Sequence, residues 1–211
     1  MKEKIKFREF KKSDEIFIEN IIREAWHYDE MCRPKTAKKM AKAFLASCLA
    51  NQTFTQVATI KDCPIGIIMG KNIQKHRCPL RYRWKQIVSI LKLLCDQEGR
   101  RISSIFKNVN IIDQELIRES QMDYQGELSF FAISQECRGL GIGKELFSRL
   151  VDYMKLNNVK YFYLYTDTSC NYQFYEHQGM KRCQEKSHQF IIGKITATMN
   201  FFLYDYDMSQ K

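Results

Sequence analysis

The sequence predicts an α/β (α+β) fold: a mixed, mostly antiparallel central sheet of six to seven strands, flanked by helices, in a single domain spanning 1–211. Three observations lead there. Strand-like and helix-like patterns intermix along the 211 residues, with hairpins among them, rather than repeating as strict strand–helix units. A hydrophobic content of 45% and only three prolines suit one globular body with a full core. No internal repeat or low-complexity linker divides the chain.

Taken in order, Ile5-Lys6-Phe7-Arg8-Glu9-Phe10 alternates apolar and polar residues, as a half-buried strand does. Ser13 or Asp14 can cap a helix with Ile16, Phe17, Ile21, Ile22 and Ala25 on its apolar face, fading near Trp26-His27-Tyr28. A second helix is expected from Thr36 to Ala50, with Ala37, Met40, Ala41, Phe44, Leu45 and Leu49 on one side and lysines on the other. Phe54 to Ile60 and Ile65 to Gly70 read as a hairpin turning at Lys61-Asp62-Cys63-Pro64. Residues 71–124 form a basic helical insertion between the third and fourth strands, with eleven Lys/Arg and apolar residues at helical spacing. Leu128 to Ile133 is an apolar strand, and Glu145 to Leu156 is an amphipathic helix. Val159 to Tyr165 is an aromatic strand, followed by a short helix from about Asn171 to Gln178 that Gly179 can end. Lys181 to Glu185 and Asn200 to Tyr206 supply two more strands.

The net charge of +10 and pI near 9.2 favour anionic partners: nucleic acid, an acidic membrane surface or a phosphorylated cofactor. Eight cysteines and four histidines are scattered without C-x-x-C or zinc spacing, so reduced, mostly buried thiols and no metal site are expected. Met1-Lys2-Glu3-Lys4 leads into no apolar signal core and no apolar run is long enough to span a bilayer, so the expected location is the cytoplasm.

Between the apolar strand and the amphipathic helix stands Arg138-Gly139-Leu140-Gly141-Ile142-Gly143-Lys144. Strand, glycine turn and helix start make a phosphate site, because glycine lets the backbone approach closely and free N–H groups at a helix start stabilise negative charge. A Walker A loop would need glycine at Arg138 and Ser or Thr at Glu145. The dinucleotide fingerprint begun at Gly139 would need glycine at Lys144. Neither fits. The segment instead resembles the Arg/Gln-x-x-Gly-x-Gly/Ala loop of the GNAT (GCN5-related) N-acetyltransferase family. Two flanking motifs extend the resemblance: Glu127-x-x-Phe130-x-Ala132-Ile133 before it and Asn171-x-x-Phe174-Tyr175-x-x-x-Gly179-Met180 after it. The match is sharp over roughly 126–186 and loose before that, and the insertion departs from a minimal member.

The resemblance implies a GNAT-like fold and acetyl-CoA as cosubstrate. Its pyrophosphate would rest on the N–H groups from Arg138 through Gly139, Leu140, Gly141, Ile142 and Gly143 to Lys144. Its pantetheine amides would pair with the backbone of Phe131, Ala132 and Ile133. Asn171 and Phe174 would hold the cofactor's arm, Glu127 would be the general base toward a primary amine of a small molecule or peptide, and Tyr175 the general acid. Each has a structural alternative: Glu127 as a solvated strand end, Tyr175 as core aromatic, Asn171 as helix cap, Arg138 as surface charge. Cys170 and His177 read as incidental. A homodimer is possible, membrane association is not expected, and nucleic acid is an unlikely partner. Two other classes remain: a non-catalytic CoA-binding regulator, and a nucleic-acid or ribosome-associated module using the basic stretch around Tyr82 and Trp84.

Overall fold

Alternation of Ile5 and Phe7 with polar neighbours places β1 (Ile5–Arg8) at a sheet edge, antiparallel to β2 (Phe54–Ile60). The structure is a computed structural model describing residues 4–192 and 195–210; residues 1–3 of the N-terminal reading lie outside it. β2 turns into β3 (Cys63–Asn72) through Lys61 and Asp62 alone, at φ of 50° and 64°. Tight hairpins demand positive φ there to match strand twist, so Cys63 and Pro64, expected in the turn, belong to the strand.

Between those strands lie α1 (Glu15–Ala25), a short α2 (Tyr28–Met31) and α3 (Pro34–Ala50). α1 buries Ile18, Ile21 and Ile22, whereas Ile16 and Phe17, expected inside, are exposed. Asp14 does not cap α1 with its side chain. Its buried carboxylate instead accepts from both Arg8 guanidinium nitrogens, at 2.7 and 2.8 Å, and from the Lys11 N–H at 2.8 Å. The basic insertion is two helices, α4 (Leu80–Leu94) and α5 (Gln97–Ser120). Asp96 caps α5 by accepting from the Glu98 N–H, and α4 packs on α3 while α5 reaches the last two strands.

The remaining elements are β4 (Gly126–Ile133), α6 (Ile142–Leu156), β5 (Tyr161–Asp167), α7 (Gln173–His177), β6 (Lys181–Ile192) and β7 (Ile195–Asp207). The strands run in the order β1-β2-β3-β4-β5-β7-β6, and among the described residues β4 beside β5 is the one parallel pair. β6 and β7 extend well past the short strands expected at 181–185 and 200–206; cross-strand pairing with each other carries them through a stretch with no clean alternation. Asn171 precedes α7 rather than opening it.

The sheet separates two cores. Ile18, Ile22, Leu45, Leu49, Ile67 and Phe130 pack under α1 and α3; Ile68, Leu128, Leu146, Leu150, Phe162 and Tyr204 pack under α6. A third cluster, with Leu116, Tyr163, Phe201 and Leu203, lies beneath α5. The cysteines are free, but only Cys48 is buried; Cys63 and Cys95 are exposed and the others half-buried, which corrects the expectation of mostly buried thiols. They are spread over strand ends, loops and helix edges, where cores do not enclose them. Among the described residues no helix is long and apolar enough to cross a membrane.

Candidate active site

Parallel pairing of β4 with β5 stops after two residues, Gly126 with Phe162 and Glu127 with Tyr163. Gln125 closes this joint, its side-chain oxygen accepting from the N–H groups of Lys160 and Tyr161 at 3.1 and 3.0 Å. Beyond it the strands part: β5 follows β7, β4 follows β3, and the far edge of Leu128 to Ile133 has no sheet partner among the described residues. Ser129 is an extra residue in β4, since Gly70 faces Leu128 and Met69 faces Phe130. This bulge sends Leu128 and Phe131 toward α6 while Phe130 and Ala132 face α1 and α3.

A cavity of about 480 Å³ fills the opening. Its walls include Phe131, Ala132, Ile133, Arg138, Gly139, Gly141, Ile142, Gly143, Lys144, Asn171, Phe174 and Tyr175. Leu140 points away and is largely exposed. The glycines serve two purposes. Gly139 and Gly141 take φ of 79° and 78°, a left-handed backbone with no neighbour within 4 Å of a would-be Cβ. Gly143 lies one residue inside α6, where a Cβ would press on Ile133 at 3.2 Å and Phe174 at 3.3 Å. The loop therefore presents open backbone at the start of a 15-residue helix, an anion cradle that side chains would fill. Unpaired strand edge, open loop and cavity together fit a phosphate-bearing, amide-containing arm such as that of coenzyme A.

Tyr175 lines the inner part of this cavity, 6.4 Å from the Phe131 ring between centroids. Burial raises its pKa, with Cys170 adding to the rise, so the phenol keeps its proton. Cys170 also lines the wall; burial raises its pKa too, which keeps it a thiol. Trp26 and His27, between α1 and α2, close the other side. In the sequence these two residues look like a fading helix end; the signal for them is the break itself, where His27 adopts φ of 50°.

Glu127 lies outside this cavity, at the joint where the strands begin to part. Only 13% of its side chain is exposed, and Lys71 Nζ stands 3.7 Å from its carboxylate. Burial pushes its pKa up, while Lys71, Tyr163 and Asn51 pull it back by charge and hydrogen bonding. Asp113 on α5 adds a second carboxyl, raised to about 7 by burial and by Asp167 and Glu127. Asp113 was not singled out from the sequence, where it reads as one more charge on a helix. Fold alone brings it to β4 and β5.

Residues 108–180 match the profile of the Acetyltransferase (GNAT) family. The fold extends the likeness to the whole chain. An N-acetyltransferase from Staphylococcus aureus Mu50 superposes with a TM-score of 0.53 at 14% identity, covering 97% of this chain and 99% of that one. PaiA N-acetyltransferase from Thermoplasma acidophilum, solved in complex with coenzyme A, gives 0.54 at 14% identity with the same coverage. The ribosomal-protein-S18-alanine N-acetyltransferase from Escherichia coli gives 0.53 at 10%, covering 97% of this chain and 94% of that one. No curated protein matches by sequence. The family's profile is thus carried by residues 108–180, and the whole chain shares the fold of these acetyltransferase structures.

Proposed function

We propose that the chain is an acetyl-CoA-dependent N-acetyltransferase that moves the acetyl group directly to a primary amine. The observation that carries this reading is the parting of β4 from β5. There the open glycine loop, the unpaired strand edge and Tyr175 surround one cavity, and Glu127 stands outside it at the joint where the strands begin to part. Loop N–H groups from Arg138 to Lys144 would bind the pyrophosphate, the edge of Phe131 to Ile133 would take the pantetheine amides, and Asn171 and Phe174 would hold the arm.

A lysine-type amine, with a pKa of about 10.4, is almost wholly protonated at neutral pH and cannot attack. Glu127, its pKa raised by burial, first takes a proton from the ammonium directly or through water; the neutral amine then forms the N–C bond, and the second proton it loses on becoming an amide passes to solvent. Tyr175 gives its proton to the departing sulfur as the C–S bond breaks. Three features favour direct transfer: Cys170 is held as a thiol, Tyr175 stays protonated, and the base lies across the joint from the cavity. Eight free cysteines suit a reducing compartment, and we place the activity in the cytoplasm.

Saturating CoA should raise the melting temperature by several degrees, since a ligand bound only by the folded state stabilises it. Y175F should keep that shift and lose most turnover. Absence of any CoA shift would overturn the proposal. A CoA shift with no turnover by the unsubstituted protein on a broad amine panel would favour a non-catalytic CoA-binding regulator.

A further inference from the structure

A second cavity, of about 280 Å³, opens between the end of α3, the first half of α4 and β4. It adjoins Glu127. Asn51, in its wall, is one of the groups that hold the Glu127 pKa down, and Ser129, also in its wall, stands two residues further along the same strand. Its floor is Phe44, Cys48 and Ala50. Its polar groups are Ser47, Asn51, Gln86, Ser129 and one charged side chain, Arg83. Arg83 donates to the Gln86 side-chain oxygen at 2.7 Å and has no carboxylate partner among the described residues. That bond occupies one of the five N–H groups of a guanidinium, leaving a fork shaped for a planar or tetrahedral oxyanion. The volume falls below the usual range for drug-sized ligands, so the site suits a small molecule.

We infer that this cavity receives the acceptor, and that the acceptor is a small amine bearing an oxyanion, carboxylate or phosphate. Arg83 holds the anion, Gln86 orients the guanidinium, and the amine points toward Glu127. The inference rests on the acetyltransfer reading and assigns the insertion a role, because α4 supplies both Arg83 and Gln86. The surroundings of Glu127 agree with the orientation: Asp113 on α5 lies close enough to feel the charges of both Glu127 and Asp167, and carboxyls gathered there suit the ammonium end of the same molecule.

Matched pairs test it: L-lysine against cadaverine, L-ornithine against putrescine, and phosphoethanolamine against ethanolamine. Each is assayed for turnover and for added thermal stabilisation of the CoA-saturated protein. The oxyanion-bearing member should be preferred, carboxylate and phosphate pairs showing which anion is read. R83A should cut that preference at least tenfold, mainly through KM, while its CoA-dependent thermal shift persists, and R83K should restore part of it. A preference for cadaverine and putrescine would overturn the inference in favour of recognition by the carboxyls near Glu127. So would an R83A preference equal to that of the unsubstituted protein, or no added stabilisation by any oxyanion-bearing amine. Loss of the CoA shift itself would instead sink the parent reading, and an amine shift abolished by R83A would still support the pocket.

Discussion

Glu127 is a carboxylate whose surroundings oppose one another. Burial favours its neutral form, and Lys71 at 3.7 Å favours its charge, so the group is poised to accept a proton above the ordinary carboxylate range. E127Q should lower kcat/KM by about 10²–10⁴-fold, the usual contribution of a positioned base. The CoA-dependent thermal shift should survive, because Glu127 lies outside the cofactor cavity. The rise of activity with pH through the Glu127 titration should flatten in the variant. An unaltered pH profile and near-normal turnover would remove Glu127 from the mechanism. The sequence motif singled out Glu127, but neither Lys71 nor Asn51 could be attached to it from spacing, since they come from β3 and the end of α3.

The strand–loop–helix element from β4 to α6 is built by glycines with different duties. Gly143 is forced by packing: G143V would drive methyls into Ile133 and Phe174 and cost about 1–3 kcal/mol, as overfilled cores do. It would also move the first turn of α6, so CoA should no longer stabilise the variant. At Gly139 the space is open and only φ of 79° resists a side chain, so G139A should cost about 1–2 kcal/mol and give a milder loss of CoA affinity. Denaturant unfolding with and without CoA separates the two; equal behaviour of both variants would refute this division. The glycine spacing was readable in the sequence. Which glycine served backbone and which served packing was not, because that depends on where Phe174 lands after an intervening helix and strand.

At the scale of the molecule, the region around Glu127 and β5 gathers carboxyls that weaken the fold at neutral pH. Asp113 ordinarily titrates at 3.8 and stands near 7 in the folded chain. Between those values the unfolded chain has released the proton while the folded chain keeps it, so stability falls as pH rises and the full penalty is present above the folded pKa. D113N removes the penalty. Its melting temperature should exceed that of the unsubstituted protein at about pH 8 and converge with it near pH 4. A constant offset across the range would show that Asp113 is not shifted. The long β6–β7 hairpin and α5 enclose this region, and neither could be placed over β5 from sequence, since strand order and helix docking leave no local pattern.

By itself, the sequence determined the order of strands and helices, the glycine loop before α6, and the flanking Glu127 and Tyr175. These follow from local periodicity and from residue types that only a close-approaching backbone requires. Tertiary structure alone decided the parting of β4 from β5, the Ser129 bulge that turns Phe130 and Phe131 to opposite faces, and the meeting of Lys71, Asn51 and Asp113 around Glu127. Those features arise from contacts between residues distant in the chain, and the free energy that fixes them is gained only when the whole sheet and both insertion helices are assembled.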